Sequence, residues 1–438
     1  MKKITLIVSL FLIANSIIYA RPEYSILQSY GTKCQSCHVN TQGGGLRTLG
    51  GWMSRNQTSI IEPSKLGLGS LFDFLQNSNQ ALNDIITFGL DARYQFARWG
   101  GPQKTITINP KTIYKKDAND SIIVINSFDT TETGPKYDAM IMQLDPYISI
   151  KPVDFIELEG FYNFAYELET EKRYPGQQSY AFSMYLRPGE NLPFLRIGYF
   201  QPMIGTKWDD HTLLVRQVVG PTRATLVLPH DYTEWGAQLE YEAIPWLGAT
   251  LGVFANDNLQ TIKIVNKDRL SYFFRLGFYP NIDEYLKGWA TFFGGYFMIN
   301  SDFKTDNGIY FGNDYYAVWN AYFNIGMIDR FSLITEYMGS KKQEYRTSSN
   351  FSVELTYQLF KDIDIGIPFD AAYIYGRFER GNTEFLADDS EYHASQYVVG
   401  AKLFPLPYIG VIPEYRIYDR DHVDGHFAAW SLQVHLFY

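Results

Sequence analysis

The chain closes on Trp430-Ser431-Leu432-Gln433-Val434-His435-Leu436-Phe437-Tyr438, and the alternation in this run decides the fold. Every even position is apolar, the odd positions from Ser431 to His435 are polar, and the last residue is aromatic. In a strand successive side chains point to opposite faces, so this segment has one greasy face and one wet face. The same period runs back through the chain. Phe88, Leu90, Ala92, Tyr94 and Phe96 alternate with Gly89, Asp91, Arg93 and Gln95. Ile156, Leu158, Tyr162 and Phe164 alternate with Glu157, Glu159 and Asn163; Trp235, Ala237, Leu239 and Tyr241 with Glu234, Gln238 and Glu240. Phe351, Val353, Leu355 and Tyr357 alternate with Ser352, Glu354, Thr356 and Gln358.

A soluble antiparallel sandwich alternates too. Three features weigh against it. The segments run to about ten residues or more, beyond the usual strand of about five or six. Tyr, Phe and Trp crowd their ends, as in the aromatic girdles of membrane barrels. The terminal strand, with its final aromatic, resembles the signal by which bacterial outer-membrane barrels are recognised for insertion. Composition agrees: aromatic residues reach 17%, with 34 Tyr and 31 Phe, and charged residues only 19%, against about 25% in soluble domains. The expected fold is an all-β outer-membrane barrel of 16 antiparallel strands, with 14 and 18 as the alternatives, since single-chain bacterial barrels are even-numbered. The segment 212–219 is among the candidate strands, and the run from Arg216 to Leu228 is the hardest to assign. The turn Tyr279-Pro280-Asn281-Ile282-Asp283 suits the periplasmic side; the polar stretches 101–136, 256–268, 300–313, 379–390 and 419–426 suit external loops.

Ahead of the barrel the chain divides in three. Residues 1–20 read as a secretory signal: Lys2 and Lys3, an apolar core from Ile4 to Ile18, and Ala20 at the cut. That core is shorter than the roughly 20 residues a helical span needs. Residues 21–56 form a small glycine-rich unit, 57–83 a linker or plug segment, and 84–438 the barrel. A formal net charge of −9 argues against a nucleic-acid partner.

Both cysteines of the chain lie in Cys34-Gln35-Ser36-Cys37-His38. Cys-x-x-Cys-His is the attachment pattern of a c-type haem, with two thioether links and the histidine as proximal iron ligand. An exported pair could instead form a disulfide or a thiol redox couple, but the histidine directly after the second cysteine favours one covalent haem c. Zinc lacks a second ligand cluster. For the distal position Met53 and His211 are the candidates, with a water-ligated iron as the alternative. Arg47, after Gly43-Gly44-Gly45, is placed to pair with a haem propionate. A unit of this size has almost no core of its own, so its haem is expected to be sheltered within or against the barrel mouth. The acidic stretches Asp388-Asp389-Ser390-Glu391 and Asp419-Arg420-Asp421-His422 are candidates for attracting a divalent cation.

With Pro22-Glu23-Tyr24 and Gly31-Thr32-Lys33-Cys34-Gln35-Ser36-Cys37-His38 ahead of a barrel, the chain resembles the fused monohaem cytochrome–porin family of bacterial outer membranes. It departs from that family after the histidine, where Val39-Asn40-Thr41-Gln42-Gly43-Gly44-Gly45 replaces a proline and an Asn-x-Phe-Gly-like run. The resemblance implies an electron conduit in the outer membrane, with the haem domain on the periplasmic side or within the lumen. Its partners would be an extracellular donor or acceptor, ferrous iron among them, and a periplasmic soluble c-type cytochrome or other carrier. An iron-oxidising activity would follow from the ferrous donor. The competing expectation is a porin or transporter channel for small solutes with the haem domain as plug or gate.

Overall fold

The computed structural model describes most of residues 59–438; residues 1–58 and several connecting segments, the longest being 166–179, 206–212, 257–268 and 360–371, lie outside that description. Sixteen antiparallel strands form one closed sheet, with the two-residue strand Gln80–Ala81 added at the foot of the first, opposite Ile86 and Thr87. In chain order they are β1 (Ile86–Trp99), β2 (Lys136–Val153), β3 (Ile156–Tyr162), β4 (Tyr180–Leu186), β5 (Phe194–Phe200) and β6 (Glu234–Tyr241). Then come β7 (Leu247–Phe254), β8 (Ser271–Phe278), β9 (Gly288–Lys304), β10 (Tyr310–Met327) and β11 (Phe331–Lys342). The last five are β12 (Arg346–Gln358), β13 (Ala372–Phe385), β14 (Ser390–Leu406), β15 (Ile409–Arg420) and β16 (Phe427–Phe437). Each pairs with its neighbours, and β1 closes the ring by pairing with both β2 and β16, Asp91 opposite Phe437 and Arg98 opposite Trp430. Closure removes every free edge and satisfies the backbone without water, which hydrocarbon demands.

Burial is inverted relative to a soluble domain. Large apolar side chains such as Leu158, Trp235, Leu251, Leu355 and Val399 are exposed on the outer wall. Glu234, Gln238, Asn324, Thr383 and Glu379 are buried on the inner one. This is the alternation of the sequence, with the apolar face toward lipid and the polar face toward the lumen. No helix among the described residues is long and apolar enough to cross a membrane.

The two rims differ. At one end strands are joined across 154–155, 187–193, 242–246, 279–287, 328–330, 359–371 and 407–408; at the other lie 100–135, 163–179, 201–233 and 255–270 along with the shorter 305–309, 343–345, 386–389 and 421–426. The end with short turns, which also holds the C-terminal residue, is taken as periplasmic. The Tyr279 turn falls on that side, as the sequence suggests.

Four expected external loops are partly strand, the 419–426 stretch only at Asp419 and Arg420, which end β15 opposite Ser395 and Ala394. Thr105–Lys116 and Ile122–Thr133 pair as a hairpin within the 101–136 stretch. The β9–β10 ladder runs to Lys304 opposite Tyr310, and β13 continues to Phe385 opposite Ser390. Beyond the apolar band the outer face no longer needs to be greasy, so the polarity signal fades while backbone pairing continues.

The chain enters the barrel from its periplasmic rim. Ile60 packs on Tyr373, Phe404 and Phe437 of the inner wall, and the Ile60 and Ile61 amides donate to the Phe404 and Pro405 carbonyls. A 3-10 turn, Pro63–Leu66, leads over the rim to the helix α1, Gly69–Asn77. Part of the 57–83 stretch is thus helical, but α1 sits beside Tyr408 and Tyr438 rather than in the lumen.

Candidate functional site

The lumen is the candidate site, and the segment 201–233 between β5 and β6 shapes it. A strand expected at 212–219 is not part of the barrel wall. Leu214–Arg216 is a buried 3-10 turn, and Gln217–Val218 pairs only with Thr225–Leu226 in a small hairpin. The run Leu213-Leu214-Val215-Arg216-Gln217-Val218-Val219 is apolar on both faces. Such a run is buried on all sides, which a lipid-and-lumen strand is not.

The segment folds inward and is fastened to strands across the lumen. Asn350 on β12 donates through Nδ2 to the carbonyls of Val215 at 3.1 Å and Gln217 at 2.7 Å. The Val219 amide donates to Thr383 Oγ1 on β13 at 3.0 Å. The Tyr316 hydroxyl on β10 donates to the Val227 carbonyl at 2.7 Å. Beneath these bonds lies an apolar core: Ile204, Leu213, Val215, Val218, Val227 and Tyr232 pack on wall residues including Phe254, Phe297, Tyr316 and Met338. Glycine is needed at two points of this contact. Gly205 holds a φ of 83°, and a Cβ there would meet Glu336 Oε1 and Met338 Cε at 2.7 Å and Arg216 Nη2 at 2.8 Å. On the wall, a Cβ at Gly381 would meet Asn350 Oδ1 at 2.7 Å and Val219 Cγ2 at 2.9 Å.

The remaining inner wall carries charges in matched sets. Across β12 to β15, Arg377 Nη1 lies 3.1 Å from Glu354, Nε 3.3 Å from Glu379 and Nη2 4.0 Å from Glu414. Lys402 Nζ lies 3.5 Å from Glu354, and Arg416 pairs with Glu414. Gln396 donates to Glu379 at 2.8 Å, and the Tyr375 hydroxyl donates to Glu414. Three cations thus face three carboxylates. Around β3 to β5, Arg187, in the turn after β4, pairs with Glu157, while Arg196 lies 4.0 Å from Glu159 and its guanidinium covers the Phe200 ring at 4.0 Å. Tyr185 donates to Glu159 at 2.9 Å. Near the closing seam His435 Nε2 lies 2.6 Å from Asp91 Oδ1, on the polar face where the alternation puts it. Buried charges need such partners. Because the signs cancel locally, these sets put no strong field of one sign into the lumen.

Of the residues singled out for a haem, Cys34, Cys37, His38, Arg47, Met53 and His211 all lie outside the described residues. Among the described residues no group of three or more His, Cys, Asp or Glu is disposed to hold a metal ion. The two acidic external stretches do meet: His393 Nδ1 lies 2.8 Å from Asp421 and Nε2 3.4 Å from Glu391. The two carboxylates take opposite ring nitrogens, and Asp388 and His422 of these stretches lie outside the described residues. Sequence reasoning passed over the Arg377 set and the inward fold of 201–233. The former could have been found from the wet-face positions of β12 to β15, and the latter from the two-sided apolarity of 213–219.

A closed sixteen-stranded barrel with an apolar outside, a polar inside and a segment folded into its lumen defines the chain as a transmembrane barrel of the bacterial outer-membrane class. No protein-family model matches the chain, and no curated protein matches it in sequence. Solved structures do resemble it. OprB of Pseudomonas putida superposes with a TM-score of 0.51 at 10% identity, over 87% of this chain and 99% of that one. OmpT of Vibrio cholerae gives 0.47 at 10% identity, over 82% and 100%, and an anion-selective porin from Comamonas acidovorans 0.46 at 8%, over 81% and 99%. At such identity the likeness concerns the fold alone, and of these three it is carried by the OprB superposition.

Proposed function

We propose that this barrel is a porin-like channel for small polar solutes, narrowed in its outer half by the inward-folded segment 201–233. The observation that carries the reading is that segment's attachment across a polar lumen, through Asn350, Thr383 and Tyr316. A wall of paired charges favours solutes near net neutrality over strongly anionic or cationic ones. The test is solute flux into proteoliposomes holding the full-length protein and a variant with 213–228 replaced by a short Gly-Ser linker. The variant should pass larger solutes and conduct more. Equal size limits and equal conductance, with both barrels folded, would refute the reading.

A second reading is supported by Cys34-Gln35-Ser36-Cys37-His38 behind an export signal. In it Cys34 and Cys37 hold one haem c, His38 is the proximal ligand, and Met53 or His211 is the distal one. Arg47 pairs with a propionate. The haem supplies single-electron transfer between an extracellular donor or acceptor, such as ferrous iron, and a periplasmic carrier such as a soluble c-type cytochrome. Near the start of the described residues, Ile60 packs against Tyr373, Phe404 and Phe437 at the mouth taken as periplasmic, and the reading builds on that contact. A reduced-minus-oxidised spectrum and redox titration of the purified protein, with and without ferrous iron, test it. Absence of a haem c spectrum from protein matured in a host competent for haem attachment would sink it.

A further inference from the structure

The helix α1 has an apolar arc that the barrel covers only in part. At about 100° per residue, Leu68, Phe72 and Leu75 fall within about 60° of one another. This part packs on the barrel: Phe72 stacks on Tyr408 at 5.9 Å, and Leu68 and Leu75 join the same cluster with Leu406 and Tyr438. Leu71 and Phe74 carry the arc on to about 160°, and they are 50% and 65% exposed. Ser70 and Asp73 lie on the remaining side.

The helix is outside the barrel, at the periplasmic edge of its lipid-facing band. Tyr438 follows Leu436 by two residues, so it shares the outer face on which Leu436 is exposed. The Tyr438 hydroxyl donates to the Leu75 carbonyl at 2.9 Å and lies 2.6 Å from Ser78 Oγ. Leu66 just before α1, and Leu82, Ile85 and Phe88 between α1 and the outer face of β1, are exposed as well, so the chain on either side of the helix is apolar where it meets the barrel's outward face. In Gly69-Ser70-Leu71-Phe72-Asp73-Phe74-Leu75-Gln76-Asn77 there is no lysine or arginine and one acid.

We propose that α1 lies flat in the periplasmic leaflet of the outer membrane, one flank on Tyr408 and Tyr438 and the next, Leu71 and Phe74, in the lipid. Its partner is the lipid surface itself. Continuity with the barrel's own bilayer face selects that occupant over a protein partner. The absence of basic residues makes the contact apolar, so it holds on zwitterionic lipid and at high salt. The helix thereby fixes the rim over which the chain passes from Ile60 in the mouth to β1 in the wall.

The test uses the full-length protein with Phe74→Trp, inserted in phosphatidylethanolamine–phosphatidylcholine vesicles with and without brominated acyl chains. Parent spectra are subtracted and a heat-modifiable gel shift confirms folding. The added emission should be blue-shifted, lose most of its intensity to bromines near the headgroup, resist aqueous iodide, and stay the same at high salt. Emission quenched by iodide and indifferent to bromine would overturn the proposal. So would emission lost only when the N-terminal segment carries haem, which would put that segment on the helix. Leu71→Trp repeats the measurement at the second exposed position should Phe74→Trp fail to fold, with the same outcomes deciding.

Discussion

Asn350 carries the most concentrated attachment of the inward-folded segment, because one side-chain amide serves two backbone carbonyls. Asn350→Ala deletes both bonds and keeps β12 paired with its neighbours. Each net hydrogen bond is worth about 1 kcal/mol, so the change costs about 2 kcal/mol of latching, or about thirty-fold in the ratio of latched to loosened segment. That does not eject it. Leu213, Val215, Val218 and Val227 stay buried in the lumenal core, and each contributes about 1.5–3 kcal/mol by burial, which together outweigh the lost bonds. The expected outcome in single-channel recordings is therefore flicker: brief openings to a higher conductance, about thirty-fold more populated than in the parent, with an unchanged main level. Thr383→Val, which removes the acceptor of the Val219 amide, should deepen the effect, less than additively because the two anchors share one short stretch. A recording indistinguishable from the parent, from a barrel with normal thermal unfolding, would refute the claim that these bonds hold the constriction.

Other perturbations follow from the same geometry. Arg377→Met removes the cation that meets Glu354, Glu379 and Glu414 together; breaking a buried pair costs about 3–5 kcal/mol, to be read from chemical unfolding, and reversal potentials should shift toward cations. Gly381→Val drives a side chain into Val219 and Asn350, so the segment should be displaced and conductance should rise, measured in planar bilayers. Replacing Cys34 and Cys37 by alanine should abolish the covalent haem spectrum while leaving the heat-modifiable barrel intact. A covalent spectrum retained in that variant would refute the attachment reading.

The barrel was legible because lipid and water lie on opposite faces of each strand, and a period of two records that directly. The stretch Trp430–Tyr438 needs no partner to declare which face is which, and β16 pairs as that reading requires. Legibility fails where the two-faced environment ends. At 213–219 the apolar residues face an interior core instead of lipid, so a strand-like run turns out to be a buried turn and a short hairpin. At 300–304 and 379–385 the ladders run on through Asn300, Ser301, Gly381, Asn382 and Thr383, polar or small residues that keep the pairing while hiding it from a polarity scan.

The charge sets show a different limit. Glu354, Arg377, Glu379, Glu414 and Arg416 can each be assigned to the wet face by counting in twos, but counting does not say which carboxylate meets which cation. That depends on register, and in a closed barrel every register follows from turn lengths and the shear needed for closure. Arg377 lies opposite Glu354 only because Gln358 is paired with Tyr373 at the foot of β12 and β13. A shift of one residue there would turn Arg377 and Glu379 together toward the lipid and leave Glu354 and Glu414 inside with Lys402 and Arg416 misaligned, an arrangement costly on both faces. The matched set therefore acts as a check on register: the sequence supplies charges that balance in one alignment of these four strands and are stranded in the adjacent ones. Substituting Arg377 should accordingly slow assembly of β12 to β15 as well as weaken the finished barrel, and refolding rates in lipid vesicles separate the two effects.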